Sequence, residues 1–263
     1  MAFCFAKITA AFAYLYRSKD LDYAGLFEIY CSEQYGGGGF DLLNSIHYFL
    51  FRTGCSLGEI TYFWLFVTIQ LILLLISFDK LYKYKFKGHK IILVALYFSP
   101  TILFFSSAPT KDGFFVSLTC IGIILANKFY NIFLFVSGAI KPYLLALYTL
   151  RTNGTFIRLV LIILGFVALS YFGEQLLNLI IVRWSYFSID FGGFSLGSFV
   201  WTMEILVIAA LIFYSQVFFK RDIFFVLMIC ALGAGVNINV ASRIFVISIF
   251  YLLALRLLAN ARA

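Results

Sequence analysis

Two turns between apolar stretches carry basic and acidic side chains that could act on a charged substrate. Lys111 and Asp112 follow the turn at 106–110, and Arg243 follows the polar segment 237–242. A carboxylate can remove a proton from a hydroxyl group, and the planar guanidinium of arginine suits bidentate binding of a phosphate. The structural alternative for Asp112 is the N-cap of the helix that follows it. For Arg243 the alternative is a side chain that extends to lipid headgroups.

A lysine next to a proline interrupts a third apolar stretch. Lys141 precedes Pro142 in the middle of 131–150. Proline breaks a helix because it lacks the backbone donor, and a charge inside an apolar layer is costly unless it faces a cavity. We therefore expect Lys141 to face a cavity; the structural alternative is an embedded lysine whose side chain extends to the lipid headgroups. Glu204, inside the apolar run 197–219, is either a functional group or one partner of a hydrogen bond between helices.

The remaining candidates flank apolar runs. Arg17 and Asp22 follow the first run, and Glu174 and Arg183 lie in the polar stretch 174–196. The arginines could bind phosphate and the acids could act as general bases. The acidic pair at positions 20 and 22 matches a metal-binding pattern only weakly.

Cysteine and histidine usage gives no metal-binding pattern. The sequence has no C-x-x-C motif, and its two histidines, His47 and His89, are far apart. Cys31 and Cys55 lie in one polar stretch and could pair, but spacing alone does not decide connectivity. We expect neither a metal ion nor another cofactor.

The composition excludes a soluble globular domain, a disordered chain and a disulfide-rich secreted module. Of the 263 residues, 63% are hydrophobic and 12% are charged, with a mean hydropathy of +0.99. In a soluble domain about a quarter of the residues are charged. The sequence therefore predicts an all-α, polytopic integral membrane protein that forms a single transmembrane domain over residues 1–263.

The apolar runs divide the chain into predicted membrane spans, each of which needs about 20 apolar residues. We predict about eight spans, a re-entrant or broken helix at 131–150 and an amphipathic interfacial helix at 40–52. The first span is short and contains Lys7. The predicted spans are 2–16, 60–78, 91–107, 113–127, 156–173, 197–219, 223–237 and 244–259.

Positive charges orient these spans, because cytosolic loops are enriched in lysine and arginine. If 131–150 re-enters, twelve such residues are cytosolic and six external; if it spans, the counts are eight and ten. The re-entrant arrangement is favoured, with both termini cytosolic, external loops at 17–58 and 174–196, and a basic cytosolic loop at 79–90. The net charge of +8 reflects this bias, so we expect no nucleic-acid partner.

The segment 17–30, RSKDLDYAGLFEIY, resembles the external R…DY…Y…Y segment of the EpsG/Wzy group of bacterial polysaccharide polymerases. The amphipathic stretch 39–54 and the span that opens after it are similar to the segments that follow there. Lys111-Asp112 stands where many members carry an Arg-Gln pair, and 140–143, IKPY, is similar to a later motif with lysine in place of histidine. The resemblance covers residues 10–150.

The resemblance implies a GT-C-like glycosyltransferase of the bacterial inner membrane, active in O-antigen, capsule or exopolysaccharide synthesis. Such an enzyme polymerises oligosaccharide repeat units carried on undecaprenyl pyrophosphate at the periplasmic face. Its expected partners are the lipid-linked glycan, membrane lipid and a chain-length regulator protein. The candidate catalytic residues are then Asp112, Lys111, Lys141 and Glu174, and the candidate pyrophosphate- or substrate-binding residues are Arg243, Arg183, Arg17 and Asp22.

Two other classes stay open on the residues alone. A lipid-linked oligosaccharide flippase, or another polytopic transporter, would also cross the membrane many times. No internal repeat is visible, however, and the acids concentrate on one face. A non-catalytic membrane subunit of a polysaccharide assembly complex would not require the charged, proline-broken segment 131–150.

Overall fold

The computed structural model describes much of the helical framework of the chain. Every element among the described residues is helical, which confirms the all-α expectation. The predicted span 156–173 and most of 223–237 lie outside them. The described residues are 1–17, 27–28, 30–31, 48–83, 89–125, 130–140, 144, 147–148, 196–215, 218, 222–224, 226–227, 230 and 238–260.

The helices form from long runs of apolar residues, because a helix satisfies its own backbone donors and acceptors where no water is available. Short 3₁₀ turns lie at Cys55–Leu57 and Phe105–Ser107. The α-helices with described bounds are α1 (Ala2–Arg17), α2 (Glu59–Tyr82), α3 (His89–Tyr97), α4 (Pro100–Leu103), α5 (Lys111–Leu125), α6 (Tyr130–Ile140), α7 (Leu196–Ser215) and α8 (Ile238–Asn260).

α2 and α5 pack side by side and run in the same direction. Near their first turns, the rings of Phe66 and Phe114 contact with centroids 5.1 Å apart. Near their last turns, the Lys80 ammonium donates a hydrogen bond to the Ile124 carbonyl. Both helices therefore begin at the same end of the bundle, as in the predicted topology, where both enter from the external face.

The predicted span 91–107 is bent where it was expected to be continuous. The segments 90–97 and 100–107 are inclined by 49° to each other. Ser99 caps α4 by accepting a hydrogen bond from the Ile102 backbone N at 3.3 Å, and Pro100 occupies the first turn, where a missing backbone donor costs nothing. The Ser-Pro pair therefore starts a new helix inside the predicted span.

Within the described residues, α2 is long and apolar enough to cross a membrane. The bent pair α3 and α4, with the 3₁₀ turn that follows, adds a second candidate if its two halves form one span. The helical segments 2–16 and 199–215 are apolar but shorter. The eight-span arrangement therefore stays a prediction.

Many exposed positions of the described helices carry large apolar side chains. Along α2, Ile69 and Ile72 are exposed, whereas Gln70 between them is completely buried. Elsewhere, large apolar side chains also lie on exposed helix faces, and a few charged side chains are buried within the mainly apolar core. Exposed apolar residues include Phe5, Phe12, Ile60, Ile76, Phe199, Leu206, Val207 and Phe213; the enclosed charged residues are Lys7, Asp112, Glu204 and Asp222.

α6 packs closely against α5 and carries the chain toward the end of the bundle at which α2 and α5 begin. Ile140, its last residue, joins an apolar cluster with Phe63 and Phe114. The ring of Phe135, within α6, contacts the ring of Tyr148, which follows the helix in the sequence; their centroids lie 6.1 Å apart. One straight helix would separate these two residues by about 20 Å along its axis, so they do not belong to one straight helix.

A disulfide joins Cys31 to Cys55, which settles the pairing that the spacing left open. Around it, the ring of Phe51 contacts Tyr30 edge to face at a centroid distance of 5.3 Å and Tyr62 at 5.4 Å. The disulfide and these ring contacts hold the segment before α2 against the first turn of that helix.

Candidate functional site

The candidate site centres on an ion pair between α5 and α8. The Nε of Arg243 donates a hydrogen bond to Oδ2 of Asp112 at 2.9 Å, and Nη2 donates to the same oxygen. The Asp112 side chain is 1% exposed and that of Arg243 is 27% exposed. The carboxylate therefore holds the guanidinium from inside the bundle, while the Arg243 side chain stays partly exposed.

Thr110, and not Asp112, occupies the N-cap of α5. Its Oγ1 accepts a hydrogen bond from the Gly113 backbone N at 3.4 Å, and the helix begins at Lys111. The structural alternative given to Asp112 in the sequence is therefore wrong. Asp112 lies in the first helical turn instead, where a negative charge is favoured by the helix dipole, and its side chain reaches across to α8.

Aromatic rings complete the surroundings of Arg243. The guanidinium carbon lies 4.4 Å from the ring centroid of Phe105, in a cation–π arrangement. Phe105 also contacts Trp201 of α7, with centroids 5.1 Å apart. The Phe105 ring and the Asp112 carboxylate together hold the guanidinium, a group whose planar fork suits phosphate binding. Lys111, half-buried, begins the helix that carries Asp112.

Glu204 joins three segments of the bundle next to this pair. Its Oε1 accepts a hydrogen bond from the Thr101 backbone N, and its Oε2 accepts one from Thr101 Oγ1, both at 2.9 Å. Oε2 also accepts from the Ser242 hydroxyl, one residue before Arg243. Of the two roles that the sequence left open, hydrogen bonding between helices is the one observed.

Lys7 is a buried cation that sequence reasoning noted only as a feature of a short span. Its ammonium, 0% exposed, donates to the Ile102 carbonyl at 2.7 Å, to the Leu103 carbonyl at 3.2 Å and to Ser106 Oγ at 3.0 Å. These three acceptors match the three donors of an ammonium group. The available signal was a lysine in the middle of an apolar run.

Gln70 connects the Lys7 contacts to the start of α5. Ser106 Oγ lies 3.4 Å from Gln70 Oε1, and Gln70 Nε2 donates to the Gly113 carbonyl at 3.2 Å and to Ser117 Oγ at 3.4 Å. Gly113 directly follows Asp112 in the sequence. A buried polar network therefore runs from α1 through α2 to the residue next to the ion pair.

Several residues of the predicted site are not among those that the structure describes. Lys141, Glu174, Arg183 and Asp22 are not among the described residues, and only the backbone of Arg17 is described, at the end of α1. In the described part of the chain, no three His, Cys, Asp or Glu side chains lie close enough together to hold a metal ion. The structure thus brings together Asp112 and Arg243 of the predicted set, and adds Glu204 and Lys7 beside them.

The arrangement can bind an anionic group at the exposed part of Arg243 and keep that guanidinium in one orientation. A buried carboxylate paired with a guanidinium is held by charge-assisted hydrogen bonds, which are stronger than neutral ones. Comparison of the chain with known protein families, with curated proteins and with solved structures yields no match.

Proposed function

We propose that this protein is a polytopic glycosyltransferase of the bacterial inner membrane that polymerises undecaprenyl-pyrophosphate-linked oligosaccharide units at the periplasmic face. The proposal combines the sequence resemblance of 10–150 with the exposed apolar side chains and the few buried charged side chains of the described helices. It includes about eight spans, a re-entrant segment at 131–150 and cytosolic termini. The products would be O-antigen, capsule or exopolysaccharide.

The observation that carries the proposal is the pair between Asp112, in the first turn of α5, and Arg243, in the second turn of α8. Breaking a sugar–pyrophosphate bond leaves negative charge on the pyrophosphate, and a fixed guanidinium stabilises that charge as it develops. Asp112 holds Arg243 from inside the bundle. Lys111, one residue away, adds a second positive charge at the same helix start.

The acceptor hydroxyl needs a base within hydrogen-bonding reach. Asp112 is engaged by Arg243 and is 1% exposed, so we assign it to orienting the guanidinium. Glu174 and Asp22, in the proposed external loops, then become the candidates for the base. Arg183, Arg17 and Lys141 complete the binding set as the sequence predicts it.

Two features of the fold support the proposed orientation. Disulfides form and persist in oxidising compartments such as the bacterial periplasm, and the Cys31–Cys55 bond lies in the loop assigned to that side. The Phe135–Tyr148 contact agrees with re-entry of the segment 131–150. Both observations are independent of the count of positive charges.

A flippase is the second candidate, because a bent helix inside a bundle is a common feature of transporter binding sites. In transporters the free ends of such a helix contact the transported ion or substrate. Here the ends of α4 contact Glu204 and Lys7 of the same chain, which favours the polymerase.

The glycan of a deletion strain separates these functions. Surface glycan reduced to a single repeat unit supports the polymerase, loss of all surface repeats supports a flippase, and an unchanged length distribution supports a non-catalytic subunit. Complementation with the wild-type gene at native abundance serves as the control. The same strain then receives the Arg243→Lys variant, for which we expect short chains.

A further inference from the structure

Two opposite charges from different helices hold the two ends of α4. The Glu204 carboxylate from α7 accepts hydrogen bonds at the first turn, from Thr101. The Lys7 ammonium from α1 donates to the carbonyls of Ile102 and Leu103 at the end of that turn. A negative group at the start of a helix and a positive group at its end both complement the helix dipole.

Each of these charges is also linked to a residue next to the ion pair. Glu204 makes this link directly, and Lys7 makes it through two intervening side chains. Glu204 accepts a hydrogen bond from Ser242, which precedes Arg243. Lys7 donates to Ser106, and Gln70 connects Ser106 to the carbonyl of Gly113, which follows Asp112. The two charges therefore constrain the backbone next to both members of the pair, although neither touches the pair itself.

We propose that Lys7 and Glu204 are positioning residues, which fix the bent span and through it the geometry of the Asp112–Arg243 pair. Proline and serine start the bend, but one helical turn has little stability of its own. The two charges supply the fixed contacts that this turn lacks. The role of the Asp112–Arg243 pair in binding substrate rests on the proposed function. The positioning of that pair by Lys7 and Glu204 does not.

Lys7 and Glu204 bind separate groups of α4 and its neighbours, and both side chains are buried. Removing the charge of Lys7 or of Glu204 replaces charge-assisted hydrogen bonds to buried groups with weaker neutral contacts or with none, which is destabilising. Neutral replacements of similar length, Lys7→Met and Glu204→Gln, therefore loosen the turn that follows α4. Ser107, in the 3₁₀ turn after α4, is completely buried and reports this loosening.

The test uses the full chain in intact cells, with Ser107→Cys as a reporter for a membrane-impermeant maleimide. In the Ser107→Cys variant, which serves as the parent for the other substitutions, we expect slow labelling because residue 107 is buried. Lys7→Met and Glu204→Gln should each raise the labelling rate by at least about tenfold, since they increase local opening. Lys83→Met, at an exposed position, and Glu59→Gln make the same chemical changes outside α4 and should leave the parent rate unchanged.

Labelling rates of Lys7→Met and Glu204→Gln that equal those of the two controls would overturn the positioning role. If Lys7→Met does not accumulate in the membrane, Ser106→Ala replaces it, because it removes one oxygen between Lys7 and Gln70. An unchanged labelling rate in Ser106→Ala would count equally against the proposal.

Glycan length separates this inference from the proposed function. Lys7→Met should lower the polymerisation rate by about 10², the cost of misplacing a catalytic group by a small distance. Added to Asp112→Asn it should cause little further loss, because both changes act through the same pair; additive losses would contradict positioning. If labelling accelerates while Arg243→Lys makes normal polymer, the positioning role stands and the proposed function fails.

Discussion

Gly113 and Ala108 approach so closely that a Cβ atom on Gly113 would lie 1.9 Å from the Ala108 carbonyl oxygen. The same atom would lie 2.9 Å from the ring of Phe66. The turn before α5 therefore packs onto the helix at a position that only glycine allows. Asp112, the residue before Gly113, contacts Arg243 of α8.

Gly113→Ala should therefore destabilise the protein strongly. Backbone atoms cannot move aside as a flexible side chain can, so we expect a loss at or above the upper end of about 1–3 kcal/mol seen for overpacked sites. Gly122→Ala on the same helix is the control, because its nearest new contact is 3.4 Å from Leu134. Thermal unfolding in detergent and membrane abundance measure both; equal stability of the two variants would contradict the packing.

Asp112→Asn and Arg243→Lys should each shorten the polymer. Asparagine removes the charge that holds the guanidinium, and lysine lacks its planar fork, so each should cost about 10²–10³ in rate. The matched controls are Asp79→Asn, which breaks an exposed ion pair with Lys83, and Arg52→Lys. The readout is glycan length in a complemented deletion strain at matched abundance. Wild-type ladders from both site variants would discard this site.

The Cys31–Cys55 bond should be present in cells. We expect both thiols to react with maleimide only after reduction, because a disulfide in the periplasm persists. Cys31→Ser should lower the free energy of unfolding by about 2–4 kcal/mol, which is typical for loss of one disulfide. Mass spectrometry of the untreated protein measures the pairing. Free thiols at both positions before reduction would place this loop in the cytosol instead.

The two ends of the re-entrant segment should face the same side of the membrane. Single cysteines replacing Asn127 and Asn153 should both escape labelling by an impermeant reagent in intact cells and both react after permeabilisation. The physical reason is the excess of positive charge that this topology places inside. Labelling of one position but not of the other in intact cells would show that 131–150 crosses the membrane.

Lys141→Ala should abolish chain elongation while the protein still inserts. A cation beside a helix-breaking proline in an apolar segment is retained only where it faces a cavity. Lys87→Ala, in the basic loop on the cytosolic side, is the comparison and should keep normal glycan. If Lys141→Ala also gives a normal length distribution, Lys141 has a structural role.

Hydropathy predicted a helix correctly where an apolar run continues without interruption. The apolar run after Gly58 became a single long helix, α2, because nothing in it interrupts the backbone hydrogen bonds. The run 91–107 was predicted as one span, yet Ser99 and Pro100 divide it. A hydropathy average over many residues does not register Ser99 and Pro100, whereas the start of a helix depends on these two individual side chains.

The sequence by itself determined that the chain is helical and apolar, and it selected Asp112 and Arg243 as residues with useful chemistry. These properties follow from composition and from residue type. The tertiary structure decided which charges meet: Asp112 and Arg243 are 131 positions apart in the chain, and Lys7 reaches carbonyls 95 and 96 positions away. Such contacts depend on how the helices pack and on which faces they present, and no local pattern encodes that information.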